Sequence, residues 1–131
     1  MIYRFDGRQP VVGQDTYVSE LATVIGDVLV GDSCYIGHGA ILHGRSIGDL
    51  AVIGMGAILS IWSSVGERAI VAEGSVVKAN QTVPAGMVVA GNPAQAVREV
   101  TEKDMELWAF GKQVYIDLAV QYLTRGMEPV A

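Results

Sequence analysis

The chain has 131 residues, of which half are hydrophobic and only 18% are charged, so it is long and apolar enough for one domain with a buried core. Its formal net charge of −5 at pH 7 argues against a nucleic-acid surface or an anionic membrane as a partner. The single cysteine excludes an intramolecular disulfide and is typical of a reducing compartment. We expect neither a signal peptide nor an apolar span of ~18 residues, so the sequence predicts a cytoplasmic protein.

An aliphatic residue recurs every six positions along most of the chain, with one five-residue step after Leu42. These positions, called anchors here, are Val12, Val18, Val24, Val30, Ile36, Leu42, Ile47, Ile53, Leu59, Val65, Val71, Val77, Val83 and Val89. The residue four positions after an anchor is mostly small, as at Ala22, Ala40 and Ala57. So regular a period is typical of a repeat fold whose coils stack on one another.

The repeat predicts a mainly β domain over residues 1–98, a single-stranded parallel β-helix with three six-residue sides per coil. Residues eighteen apart should then stack, with the anchors pointing inward and aliphatic ladders filling the core. The small residue that follows each anchor should pack beside it where the corner is tight. Asn92 and Pro93 form a turn that ends the repeat.

A C-terminal helix is predicted within residues 99–131. Thr101 is a suitable N-cap because acidic residues follow it in the first turn, and Gly126 is a candidate C-cap. Gly111 marks a potential break. The apolar positions of this helix, spaced by three and four residues, are Met105, Trp108, Val114, Tyr115, Leu118, Ala119, Tyr122 and Leu123. We expect the helix to cover the β-helix or a neighbouring subunit.

The only two histidines, His38 and His43, lie close together in the sequence. The inward positions of this stretch belong to Ile36, Ala40 and Leu42, so both imidazoles should point outward on adjacent sides of one coil. They cannot easily meet within one chain, but His38 of one copy could approach His43 of a neighbour. Imidazole is a common zinc ligand, so both histidines are candidate metal ligands. The alternative is a pair of ordinary surface histidines.

The segment Gly37–Gly44, which reads GHGAILHG, resembles the metal-site segment of the γ-class carbonic anhydrase family. Further matches to that family and to its phenylacetic acid degradation and carnitine operon branch are Val24–Val28, Ile53–Ala57, Gly91–Ala94, Trp108 and Tyr115–Ala119. The resemblance implies a left-handed β-helix, a homotrimer, and zinc held between subunits by three histidines. It also implies a lyase in which zinc-activated water attacks carbon dioxide.

The chain departs from this family in one respect. Family members carry about two more coils and a loop before the Ile-Gly-His-Gly segment, including the third zinc histidine and the residues that position the bound water. Here Ile25 occupies the position one coil before His43 where the family has that histidine, and Ser19 stands in the place of a glutamine. Glu20, one coil before His38, is the nearest candidate for a substitute oxygen ligand, although an ordinary solvated carboxylate is the simpler interpretation.

Other polar and aromatic residues fit structural roles. Cys34 occupies a small buried position and should be an inert thiol. Arg45 should form a surface ion pair. Trp62 should pack under the C-terminal helix, lie at a trimer interface, or line a pocket for an acyl thioester. Asp27, Asp32 and Asp49 follow glycines and should be turn residues, with Asp32 a weak candidate for a contact behind His38.

The sequence therefore predicts a γ-carbonic anhydrase-like protein that hydrates carbon dioxide with zinc at an inter-subunit site, its activity impaired by the missing segment. The alternatives are a catalytically inactive trimeric scaffold, an acyl-CoA thioesterase, or a hexapeptide acyltransferase with a histidine base. The metal could be zinc, another divalent ion, or none. The expected substrate is carbon dioxide, bicarbonate or an acyl thioester. No catalytic residue is assigned, and whether the protein is an enzyme stays open.

Overall fold

The computed structural model describes residues 1–130, which form a three-sided parallel β-solenoid followed by one helix. The first face contains β1 (Ile2–Tyr3), β4 (Thr23–Ile25), β7 (Ile41–Leu42), β10 (Ile58–Leu59) and β13 (Val76–Val77). The second contains β2 (Val11–Val12), β5 (Leu29–Val30), β8 (Ser46–Ile47), β11 (Ser64–Val65) and β14 (Thr82–Val83). The third contains β3 (Tyr17–Val18), β6 (Tyr35–Ile36), β9 (Val52–Ile53), β12 (Ile70–Val71), β15 (Met87–Gly91) and β16 (Ala94–Glu99). This architecture confirms the predicted hexapeptide-repeat left-handed β-helix with a C-terminal helix.

Successive coils pair in the register that the anchors predict. Val24 pairs with Leu42, eighteen residues on, and Leu42 pairs with Leu59, only seventeen residues on. The difference is the five-residue step, which shortens the corner at Gly44. A Cβ at Gly44 would stand 2.8 Å from Ser63 Oγ and 2.9 Å from the Ser63 carbonyl oxygen, so the tight corner requires glycine.

The core is one column of anchors and small residues that runs the length of the solenoid. Its members are Ala22, Val24, Val28, Val30, Cys34, Ile36, Ala40, Leu42, Ile47, Ala51, Ile53, Ala57, Leu59, Val65, Ala69, Val71, Val77, Val83, Val89 and Ala94, with Val12 and Val18 packed against its end. Each fully buried Val, Leu or Ile contributes about 1.5–3 kcal/mol. The predicted inward set is confirmed.

Most corners share a backbone feature three residues after the anchor, where the chain turns through the left-handed region. The residues with this conformation are Asp15, Ser33, Gly39, Leu50, Gly56, Trp62, Arg68, Gly74, Asn80 and Gly86. Gly, Asn, Asp and Ser suit such a turn, whereas a bulky side chain costs about 1–2 kcal/mol. Leu50, Trp62 and Arg68 are therefore the three strained members of the set.

The aspartates at the corners are turn residues, as predicted. Gln14 N–H donates to Asp32 Oδ1 at 2.8 Å, and Asp32 N–H donates to Asp49 Oδ1 at the same distance. Each carboxylate therefore satisfies a backbone donor of the coil before it. Asp27 lies 3.5 Å from Arg8.

The end of the solenoid differs in part from the prediction. Asn92 and Pro93 do form the turn, but the chain then returns as β16, antiparallel to β15, and covers the last edge of the third face. A covered edge does not offer unpaired backbone groups to another strand. The predicted division into residues 1–98 and 99–131 stays a prediction, and residue 131 lies outside the described residues.

The helix α1 (Glu102–Arg125) packs on the third face. Thr101 is its N-cap, and a capping box links Thr101 with Asp104, while Gly126 is the C-cap, so both predicted caps are confirmed. The predicted break at Gly111 is wrong, because the helix is continuous there. Among the described residues, no helix is sufficiently long and apolar to span a membrane.

Candidate functional site

His38 and His43 lie on different sides of the same coil, as predicted. Ile36, Ala40 and Leu42 are fully buried between them, so both imidazoles point away from the core. His38 follows β6 on the third face and is half-buried, whereas His43 follows β7 on the first face and is exposed. A single chain therefore gives the two rings separate surroundings.

His38 is contacted by a serine of the preceding coil and by two tyrosines of α1. Its Nδ1 shares a 2.5 Å hydrogen bond with Oγ of Ser19, which is only 1% exposed. Ser19 Oγ also accepts a hydrogen bond from the Leu21 N–H at 3.1 Å. From α1, the rings of Tyr115 and Tyr122 lie with their centroids 5.3 and 6.4 Å from the imidazole. The ring of His38 is thus fixed in position, with its Nε2 free of the serine.

The aromatic layer beside His38 joins the third face to α1. Tyr17 stacks on Tyr35 at 5.5 Å, and Trp108 and Tyr115 approach Tyr35 at 5.0 and 5.4 Å. Burial raises the pKa of the Tyr35 phenol well above its ordinary value, and the neighbouring Tyr115 raises it further. Burial likewise raises the pKa of Tyr17. Both phenols stay neutral at ordinary pH, so this layer is suited to packing rather than to proton abstraction.

His43 lines an open groove of about 330 Å³ at the corner between the first and second faces. Phe5, Ile25, Ile61 and Trp62 supply the apolar part of its lining. A groove of this size lies at the lower end of the range for small-molecule sites.

Two expectations for the residues of this groove are corrected. Arg45 forms no ion pair within residues 1–130, and instead its guanidinium lies 6.0 Å from the centre of the Trp62 ring. Trp62 does not pack under α1, because its side chain opens into the groove and is 57% exposed. The helix covers a different face of the solenoid, so it cannot reach this corner.

The residues around the two histidines offer few further donors for a metal ion. Val24 pairs with Leu42, so Ile25 stands one coil before His43, and an aliphatic side chain cannot coordinate metal. Glu20 is exposed, and within residues 1–130 no three side chains of the His, Cys, Asp and Glu types lie close enough to hold an ion. Around these positions the described residues therefore offer two imidazoles, which stand on separate sides of the coil, and no third donor of these types.

Cys34 is a buried thiol, as predicted. Its Sγ donates to the carbonyl oxygen of Gly48 at 3.1 Å, and burial raises the pKa of the thiol. The Asp32 carboxylate accepts a hydrogen bond from the Gln14 N–H, and it does not hydrogen-bond to His38. The contact to His38 comes from Ser19, which the eighteen-residue repeat puts beside Gly37.

Comparison with known sequences places the chain among proteins of this architecture. It is 31% identical to the carnitine operon protein CaiE of Salmonella agona over 165 positions, covering 93% of this chain and 83% of that protein. It is 41% identical to the mitochondrial gamma carbonic anhydrase 2 of Arabidopsis thaliana over 91 residues, or 70% of this chain, although it spans only 33% of that relative. No protein-family model matches the chain.

The alignment with CaiE extends over more positions than this chain has residues, so the relative contains segments with no counterpart here. This agrees with the coils that the sequence is expected to lack. Among solved structures, a hexapeptide transferase family protein from Anaplasma phagocytophilum matches with a TM-score of 0.65 and 21% identity, covering 92% of this chain and 97% of the other. At that identity the likeness concerns the fold alone.

Proposed function

The chain belongs to the γ-carbonic anhydrase-like hexapeptide-repeat family, and from that membership we propose a trimer that binds a divalent metal between subunits through His38 and His43 of a neighbouring copy. The ligand set is incomplete, so we expect weak metal binding and little hydration of carbon dioxide. The observation that carries this proposal is that the two histidines point outward on adjacent sides of one coil, while Ile25 fills the position beside His43.

The setting of His38 supports its role as a ligand. Histidines that bind metal donate their other ring N–H to a fixed acceptor, which holds the tautomer and the orientation of the ring. Ser19 Oγ is buried and within hydrogen-bond distance of Nδ1, so it can accept a hydrogen bond from Nδ1–H and leave the Nε2 lone pair for a metal. His43 is exposed in its own chain and so is open to a neighbouring copy.

The missing ligand argues against an efficient zinc hydratase. Zinc held by three protein ligands lowers the pKa of bound water to about 7 and leaves one position open. With Ile25 in place of a donor, two histidines would have to hold the ion with solvent. The same observation favours a second candidate, a trimeric scaffold without catalytic activity. Nothing in the geometry of the groove favours the thioesterase or acyltransferase alternatives over these two.

The substitution Ile25→His tests the proposal by supplying the absent donor. We expect it to raise zinc affinity on the order of 100-fold and carbon dioxide hydration well above the level of the unchanged protein. The measurements are zinc content after equilibrium dialysis and stopped-flow hydration assays. Val97→His is a matched control, because Val97 is an exposed aliphatic residue on β16, the last strand of the third face.

His43→Ala completes the test. It should abolish the weak zinc uptake of the unchanged protein and leave the trimer intact, as judged by light scattering. Zinc content that is unchanged in His43→Ala would overturn the inter-subunit site. A chain that binds no zinc, and gains none with Ile25→His, would support the scaffold instead.

A further inference from the structure

We infer that the site at His38 favours a soft monovalent ion, copper(I), over zinc, with the thioether of Met55 as the donor beside His38. The inference rests on the function proposed above for one point only, the imidazole that His43 of a neighbouring copy brings to the site. Met55 and His38 belong to the same chain, so their arrangement does not depend on that neighbour.

Met55 occupies the corner position that His38 occupies one coil earlier. The strands β6 and β9 pair with Ile36 opposite Ile53, and the histidine and the methionine each follow their anchor at the same distance along the chain. The Gly56 N–H donates to the His38 carbonyl oxygen at 2.9 Å, so the register continues through the corner. Paired strands lie roughly 4.8 Å apart. The two side chains therefore leave neighbouring coils side by side.

The side chain of Met55 leans back toward the coil of His38. A Cβ added to Gly37 would stand 3.0 Å from Met55 Cγ, so the methionine lies over the residue that precedes the histidine. Tyr115 contacts both side chains: its ring stands edge-on to the imidazole with the centroids 5.3 Å apart, and its hydroxyl group donates a weak hydrogen bond to Met55 Sδ at 3.9 Å. A half-buried thioether thus accompanies the imidazole under α1.

The equivalent positions of the adjoining coils carry carboxylates that stay in solvent. Glu20 stands one coil before His38 and Glu73 one coil after Met55, and both are exposed. Neither forms an ion pair with His38 within residues 1–130. The donors that this corner brings together in one chain are therefore an imidazole nitrogen and a thioether sulfur.

This pair of donors suits copper(I) better than zinc. Zinc is held by imidazole, thiolate and carboxylate, and it needs four ligands counting water. Thioether sulfur is a soft ligand that selects copper(I), and imidazole binds copper as well as zinc. Copper(I) also accepts a lower coordination number than zinc. Ile25 therefore removes a donor that zinc requires, whereas two imidazoles and the Met55 thioether complete a copper(I) site.

Silver(I) is the probe for the sulfur contact, because it is a soft ion of the same charge that does not change its oxidation state. The protein has five methionines, so the ¹³C methyl signals of labelled methionine report on Met55 with the other four as internal references. Silver(I) should shift the Met55 signal in a saturable way, at a lower concentration than it shifts the others.

Met55→Leu removes the sulfur and nearly conserves the volume of the side chain. Copper(I), kept reduced with ascorbate and measured by competition with a chromophoric chelator, should bind about 10-fold or more weakly to this variant. Its zinc affinity, measured by equilibrium dialysis, should stay within about twofold of that of the unchanged protein, because zinc makes little use of a thioether. Met105→Leu is the matched control, since Met105 lines a small cavity under α1 that does not include His38, and it should alter neither affinity.

Three results would overturn the inference. Met55→Leu could bind copper(I) as tightly as the unchanged protein. Silver(I) could shift all the methionine signals alike, which would mean non-specific binding to thioethers. Finally, the unchanged protein could bind zinc more tightly than copper(I).

His43→Ala tests the neighbouring copy separately, because it should weaken copper(I) binding as Met55→Leu does. If it leaves the binding of both metals unchanged while Met55→Leu weakens copper(I), the inter-subunit site of the proposed function fails and the pairing of His38 with Met55 stands. If His43→Ala weakens both metals and Met55→Leu weakens neither, the proposed function stands and the inference fails.

Discussion

The two histidines stand five residues apart on one coil, yet their surroundings have opposite characters. The His38 ring has contacts on two sides: the buried Ser19 forms a hydrogen bond with Nδ1, and Tyr115 and Tyr122 of α1 lie over the ring. On the side of His43 a groove opens to solvent in the single chain, and Trp62 in its lining is more than half exposed. The solenoid thus gives one imidazole a fixed position and leaves the other accessible.

A repeat fold can thus place side chains in different surroundings although its core is uniform. The inward residues determine only the position on the coil from which each outward side chain projects. What meets the side chain outside depends on α1, which covers the third face and no other. The imidazoles of His38 and His43 can therefore differ in function although the same core residues position both.

Leu42→Ala should disturb the surroundings of both His38 and His43, and it should lower the free energy of unfolding more than the other substitutions considered. Leu42 is fully buried, and its removal leaves a cavity in the coil that carries both histidines. We expect a loss of about 2–5 kcal/mol in the free energy of unfolding, measured by urea denaturation. Ile41→Ala is the control, because that side chain points outward and should cost less than about 1 kcal/mol. Equal losses would contradict the inward and outward assignment.

Ser19→Ala should affect His38 and leave His43 unchanged. It removes the hydrogen-bond partner of His38 Nδ1 and leaves the Leu21 N–H without its acceptor, so we expect a loss of about 1 kcal/mol. The imidazole ¹⁵N signals of His38 should change toward a mixture of tautomers, while those of His43 stay as they were. If His38 keeps its signals, the serine does not fix the ring. Ser64→Ala, a serine on the second face, is the control.

The sequence predicted most of the fold because the anchors occupy inward positions at a fixed period. That period also predicts, correctly, that His38 and His43 leave the coil on adjacent sides. It even contains the signal for Ser19, since a residue eighteen positions before Gly37 must lie beside the histidine segment. These features depend only on spacing along the chain.

The contacts of α1 could not be predicted in this way. Tyr115 meets His38 from 77 residues away, and no periodicity relates the register of the helix to that of the coils. The partner of Arg45 was also predicted wrongly, because ion pairing was expected from residue type alone. The left-handed conformation of Trp62 was predictable from its position three residues after an anchor, where glycine recurs.

Acidification should loosen the start of α1, the helix that covers His38, by a small amount. Asp104, in the first turn of α1, hydrogen-bonds to the Arg98 guanidinium and to the Thr101 N–H, and these contacts hold the pKa of its carboxyl well below the ordinary 3.8. Because the pKa is lowered by folding, the stabilisation is present above the ordinary pKa and is lost as the pH falls below about 4.

Asp104→Asn should therefore be less stable than the unchanged protein at pH 6 and approach it as the pH falls toward 2, since the charge that distinguishes them is then being neutralised. Circular dichroism at 222 nm during thermal unfolding measures the difference. Glu106→Gln is the control, because Glu106 is an exposed acid of the same helix that makes no ion pair within residues 1–130. A constant gap between Asp104→Asn and the unchanged protein at every pH would mean that the carboxylate acts through shape and not through charge. The start of α1, and with it the cover over His38, would then not depend on pH.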